Sequence, residues 1–329
     1  MIISLSVAAV AVILFSVVRM TGFRYRYPYH YALASELSLT REGLEEVAGE
    51  PDEHLENIFG MMVEASAENW ERVLELAVRE EKTLPGCYFY NLANAMMGKL
   101  GERLLSYYQL FEAGLFIPVG EHTSIPDLIC SNEVWYQLGE MTMAEHHTIL
   151  GMIYSPAHGG PRFYRRMAEI NMVNGDEKLS SKYLALLGDT LDGKWKEKKK
   201  FIQKKDIVHV SDDVRPVLKG LIESNPDNLA AYEYLLCYDL LTKNIPAFIE
   251  DYVPGKKDCR LYQEVALVHL ASIGDVSADK RKELGISEKV FRNFNHYNES
   301  LNAARGNADM LPVSFKSTYW YYFHFANRG

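Results

Sequence analysis

One local pattern recurs along this chain and constrains its fold more than any other feature. A bulky and a small residue stand side by side on a helical run, a glycine or asparagine follows about seven residues later, and a second helical run begins. Residues 162–187 fit best: Met167-Ala168 is the pair, Gly175 the turn, Ser180 the small residue of the second run, and Leu184 and Leu187 its apolar stripe. Leu236-Cys237 with Asn244 repeats the arrangement, with Ile249 on the second helix and Pro226 two residues ahead of the first. A weaker copy, YNLANAMMGKLGERLL, turns at Gly98, and a compressed one, VWYQLGEMTMAEHHTI, offers Leu138-Gly139 as its close-packed pair. Turn positions 98, 175 and 244 differ by 77 and 69, each about two 34-residue periods. Helix pairs of this kind cannot bury their apolar faces alone, so they stack, and the expected fold is an all-α, tetratricopeptide-like helical-repeat solenoid.

The remaining chain extends this plan. Of its 329 residues 48% are hydrophobic, enough for a continuous core. Residues 30–68 read as irregular helix, broken at Gly49-Glu50-Pro51-Asp52, where Asp52 is a candidate N-cap. A helix through Trp70, Val73, Leu74 and Ala77 is expected to stop at Leu84-Pro85-Gly86, and the next to begin near Tyr88. The expected division is a transmembrane helix over 1–19, a juxtamembrane and leading helical region over 20–68, helical repeats over 69–310, and an aromatic C-terminal cap over 311–329. The cap reading rests on Tyr319 to Phe325, because the last unit of a stack needs its apolar edge covered.

The first segment, MIISLSVAAVAVILFSVV, carries no charge and as a helix is about 27 Å long, near the hydrocarbon thickness of a bilayer. A signal peptide is disfavoured because the first basic residue, Arg19, lies beyond the apolar run. Arg19, Arg24 and Arg26 then interleave with Tyr25, Tyr27, Tyr29 and Tyr31, as at headgroup level. These features predict a single membrane span, with the arginines favouring a cytoplasmic domain.

Strings that suggest chemistry have plainer readings. Gly188 to Trp195, GDTLDGKW, satisfies G-x-x-x-x-G-K, but the next residue is not Ser or Thr, and SSKYLALL before it is helical, so Gly188 and Gly193 read as a helix stop and a turn. His146 and His147 stand beside Glu145, with His158 beyond; adjacent histidines point about 100 degrees apart on a helix and share no face. Glu121 and His122 have no partners at a fixed spacing. Lysines 194, 196, 198, 199, 200, 204 and 205 form a basic run, read as a solvated helix face ahead of an anionic-headgroup site. Cys87, Cys130, Cys237 and Cys259 are scattered singly and read as small core residues. With 35 Lys+Arg against 44 Asp+Glu, the net charge of -9 disfavours nucleic acid as a partner. No catalytic, cofactor-binding or metal-ligating residue is expected.

The strings YNLANAMMGKLGERLLSYYQ, RFYRRMAEINMVNGDEKLSSKYL, NPDNLAAYEYLLCYDLLTKNIPAFI, YQEVAL, ISEKVFRNF and FKSTYWYY occur in that order. Over roughly residues 70–325 they resemble an uncharacterised bacterial membrane-protein family, a domain of unknown function. The resemblance implies a bacterial inner-membrane location, several N-terminal transmembrane helices and a C-terminal tetratricopeptide-like domain, whereas this chain shows one apolar run and a single expected span. The functional expectation is a membrane-tethered scaffold that binds a protein or peptide without catalysis. The alternative is the regulatory or sensory portion of a larger multi-spanning transporter or enzyme.

Overall fold

A computed structural model describes residues 26–80, 82–120, 123–188 and 213–326. Among them the chain is all-α, without a strand. It divides into two compact units: Met1–Glu80, Pro118–Tyr136 and Met141–Ile202 form the first; Glu81–Ile117, Gln137–Glu140 and Gln203–Gly329 form the second.

The first unit opens with α1 (Pro28–Glu36), α2 (Arg41–Ala48), α3 (Glu53–Ser66) and α4 (Trp70–Arg79). Asp52 caps α3 as its spacing predicts, its Oδ1 accepting the Leu55 amide at 2.7 Å. Helix α1 lacks such help from its own N-cap, Tyr27, and Pro28 supplies no donor. Glu56 on α3 does the work instead, accepting the amides of Tyr29 (2.7 Å) and His30 (3.0 Å) and pairing with His30 Nδ1 (2.7 Å). Helices α7 (Ile125–Leu138), α8 (Met141–Tyr154), α9 (Pro161–Val173) and α10 (Glu177–Leu187) follow. The α9–α10 pair behaves as its sequence suggests: Met167 and Ala168 are buried, Gly175 takes φ +79°, and Ser180 Oγ donates to Ala168 O at 3.0 Å.

Below this hairpin lies a buried charged cluster. Glu133 is fully buried on α7 and faces Arg166 at 2.6 Å and Arg162 at 3.6 Å. Arg162 also binds Glu36 at 2.6 Å and the Met62 carbonyl at 3.1 Å, and Arg166 lies over the Tyr136 ring at 3.6 Å. Burying a carboxylate is tolerable only with such partners.

The second unit contains α5 (Leu84–Met96), α6 (Leu100–Arg103), α11 (Val214–Ser224), α12 (Leu229–Leu241), α13 (Ile245–Asp251), α14 (Arg260–Ser272), α15 (Ala278–Glu283), α16 (Glu288–Ala303) and α17 (Tyr319–Phe325). Helix α12 is buried on nearly every side and packs on α5, α6, α11 and α13. Its two acids are therefore paired: Asp239 with Arg215 of α11 at 3.0 Å, and Glu233 with the Gly101 amide of α6 at 3.1 Å.

The turns share one closure. At Gly98 (φ +66°) the amide of Lys99 reaches back to Asn94 O at 2.7 Å, and the same six-residue loop closes α3, α9, α12, α14 and α16. A left-handed residue is needed there, which is why glycine marks two of the expected turns. In the third, the left-handed position is Lys243 (φ +58°), one residue before Asn244, which instead caps α13.

Three expectations are corrected. Leu84-Pro85-Gly86 starts α5 and does not end α4, since Thr83 caps it and proline suits a first turn. Leu138-Gly139 is no close-packed pair: Leu138 ends α7 and Gly139 makes the turn at φ +91°. A single-span location in a bacterial inner membrane is not supported either, because among the described residues no helix is long and apolar enough to cross a membrane. The longest of them, α16, has 16 residues and is rich in charge and amide. The apolar run over 1–19 and its arginines up to Arg24 lie outside the described residues.

Replacing Arg166 with alanine should destabilise the first unit by about 3–5 kcal/mol, because Glu133 stays buried with Arg162 as its remaining cation. The double change Glu133→Gln, Arg166→Met should lose much less, and urea unfolding followed by circular dichroism measures both.

Candidate functional site

The second unit carries a surface groove of about 320 Å³ between the first turns of α14 and α16. Both turns converge because Gln263 of α14 links them: its Oε1 accepts the Ser287 amide at the start of α16 at 3.0 Å, and its Nε2 donates to Asp258 at 3.2 Å. Buried Cys259 and Val290 form the floor. The lining combines acids, Glu102 and Asp258, with bases, Arg260 and Lys289, and with the amides of Gln263 and Asn293. Amides and opposite charges in one open groove suit a chain of peptide groups, each of which needs a donor and an acceptor.

Arg260 ties this groove to the end of the chain. Its guanidinium donates to Glu264 at 2.5 Å and to Ser317 O at 3.0 Å. Glu264 in turn accepts the first amide of α17, Tyr319 N, at 2.7 Å. Burial, partly offset by Arg260, pushes the Glu264 carboxyl up to about 7. Asp239 is raised to about 6, again by burial against the pull of Arg215, and burial also raises Glu233.

The residues singled out from sequence are placed differently. Helix α8 exposes His146 and buries His147, whose imidazole burial lowers to about 4, with His146 adding repulsion. His158 is exposed and sits 3.2 Å from the Ile153 carbonyl. Among the described residues no group of three or more His, Cys, Asp or Glu is arranged to hold a metal ion. All four cysteines are free and buried, and burial raises their thiols, Cys87 and Cys259 to about 11. Gly188 ends α10 at φ +59°. The rest of the G-x-x-x-x-G-K string, the lysines from 194 to 205, and Glu121 and His122 lie outside the described residues.

Residues 1–326 match a family described as a family of unknown function, DUF6057. The chain belongs to this family. No curated protein matches the chain, and neither does any solved structure. Membership agrees with the resemblance to an uncharacterised family. Membrane helices, which that resemblance also implied, find no support among the described residues.

Sequence reading did not single out Gln263, Asn293, Arg260 or Glu264. The available signal was a lone acid inside an apolar helix, as in YQEVALVHL, AAYEYLL and SNEVWYQL. Such a carboxylate is buried and must be paired.

The raised carboxyls set a pH trend. Because the folded values for Glu264 and Asp239 exceed the usual 3.9–4.3 of carboxylates, the folded unit takes up protons first as the pH falls. Their contribution to stability therefore grows from about pH 8 toward pH 5 and is lost again as the pH rises through about 6 and 7. Glu264→Gln should raise the thermal midpoint at pH 8 by a few degrees and flatten its slope between pH 5 and 8, read by calorimetry. His147 runs the other way, weakening the first unit as the pH falls from about 6.5 to about 4, so the difference between wild type and variant isolates Glu264.

Proposed function

We propose that this chain is a non-catalytic helical-repeat scaffold, and that the groove between α14 and α16 binds an extended segment of a partner protein. The observation that carries this reading is the groove's lining, where amides, acids and bases lie together over an apolar floor. A partner strand with a basic and an acidic side chain near each other satisfies Glu102 and Asp258 at one point and Arg260 and Lys289 at another. Asn293, and the second donor and acceptor that Gln263 keeps beside its bonds to Asp258 and Ser287, serve its peptide groups.

The hairpins are read as tetratricopeptide-like. Support comes from buried Met167-Ala168 and Leu236-Cys237, from the Ser180 bond to Ala168, and from the shared turn closure at Gly98, Gly175 and Lys243. Scaffolds of this type bind through side chains that successive helix pairs present, which fits a groove built from two first turns.

The test is a photo-activated cross-linker placed at Asn293 of the full chain, with the same group at exposed Asn302 as a control. Specific protein adducts at 293 that disappear in Lys289→Glu support the reading. Once a partner segment is identified, Lys289→Glu with Gln263→Ala should weaken it at least tenfold, which is about 1.4 kcal/mol. Equal adducts at both positions, or turnover of a small molecule by the purified chain, contradict it.

A further inference from the structure

Arg260 stands between the groove and the end of the chain, and its donors are divided between them. A guanidinium carries about five N–H groups. One on Nη1 goes to Glu264 at 2.5 Å and one on Nη2 goes to Ser317 O at 3.0 Å. The others have no protein partner among the described residues, and with the side chain 44% exposed they are open to the groove that Arg260 lines.

Glu264 belongs to the same helix as Arg260, but Ser317 comes from the C-terminal segment and directly precedes Thr318, the N-cap of α17. The Ser317 carbonyl therefore keeps its position through the docking of α17. That docking rests on contacts that do not line the groove. Trp320 is buried with its ring 5.5 Å from that of Phe294, Tyr322 donates to Leu241 O at 2.9 Å, and Lys243 donates to the carbonyls of Phe323 and Ala326. A guanidinium pinned at two nitrogens meets a carboxylate with little rotational freedom left to lose. Lys289, the other base of the groove, has no hydrogen bond or ion pair among the described residues, so it supplies charge without a fixed direction.

On the reading of the groove as a peptide site, we propose that docking of α17 sets the groove's preference for an acidic side chain. Arg260 selects the carboxylate, and Ser317 and Glu264 are its positioning residues. The N–H groups left on Arg260 suffice for a carboxylate, so an occupant does not draw Arg260 off α17 and the two events strengthen each other.

The probes are two capped fluorescent peptides, Ser-Lys-Ser-Gly-Glu-Ser and its Gln-for-Glu counterpart, titrated into the full chain. The Glu peptide should bind roughly threefold to tenfold more tightly. Arg260→Lys, which keeps the charge and loses the fork, should bring that ratio to about two or less, and Lys289→Gln should lower it less. Trp320→Leu, and the milder Lys243→Asn whose asparagine tolerates the left-handed turn, loosen α17 without touching the groove. In both, the ratio should fall as hydrogen exchange speeds up at the Tyr322 amide, bonded to Thr318 O at 3.2 Å, while α12 stays protected. In the wild type the Glu peptide should slow that exchange. A wild-type ratio near one, a ratio that survives the loosening of α17, or exchange at Tyr322 made faster by the Glu peptide overturns the proposal and leaves the peptide groove standing. Failure of both peptides to bind overturns the two together.

Discussion

The first turn of a helix carries amide donors with no acceptor inside the helix, and three helices here find theirs on a neighbour. Glu56 serves α1, Glu233 serves α6 and Glu264 serves α17. For α1 and α6 the local reason is plain, since their N-cap positions hold Tyr27 and Lys99, which offer no side-chain cap. Each acid offsets part of its burial by accepting from these donors, so helix placement and carboxylate placement depend on each other. A short helix such as α6, four residues long, has little stability of its own and takes its position from this bond and its packing.

The same acids explain why the second unit is polar at its heart. Helix α12 is wrapped by other helices, and its Glu233 and Asp239 are committed to Gly101 and Arg215. Raised carboxyls of this type often mark catalytic sites, but burial of a structural carboxyl raises it as well, here against the pull of its partners. Here the partners are backbone amides and guanidinium groups that close helix ends, and the open groove lies elsewhere, at the first turns of α14 and α16. Arg260 touches both systems, lining the groove while bound to Glu264 and Ser317.

Much of the helical plan was legible because it is written locally. Gly98 and Gly175 mark left-handed closures, Asp52 marks a cap, and paired bulky and small residues mark a buried face on α9 and, separately, on α12. Reading slipped where one signal has two uses. Proline and glycine after Leu84 looked like a stop and are a first turn, and Asn244 looked like the turn because Lys243, a residue with a Cβ, holds the left-handed position. Lys243 spends its side chain on the carbonyls of α17, a use set by a segment 80 residues away. The acid pairings were illegible for the same reason, Glu233 and Gly101 being 132 residues apart and Glu264 and Tyr319 55 apart, and the groove is joined by Gln263 and Ser287, 24 residues apart. Local pattern carries no information about which distant amide an acid will meet.

Native-state hydrogen exchange measured at individual amides tests the central claim, that carboxylates on neighbouring helices hold these first turns. The amides of Tyr29, His30, Gly101 and Tyr319 should exchange slowly, although each lacks an acceptor within its own helix. Glu264→Ala should speed exchange at Tyr319 by at least tenfold and leave Tyr29, His30 and Gly101 unchanged. Exchange at all four as fast as at exposed first-turn amides, or a Glu264→Ala effect spread equally over them, contradicts the account.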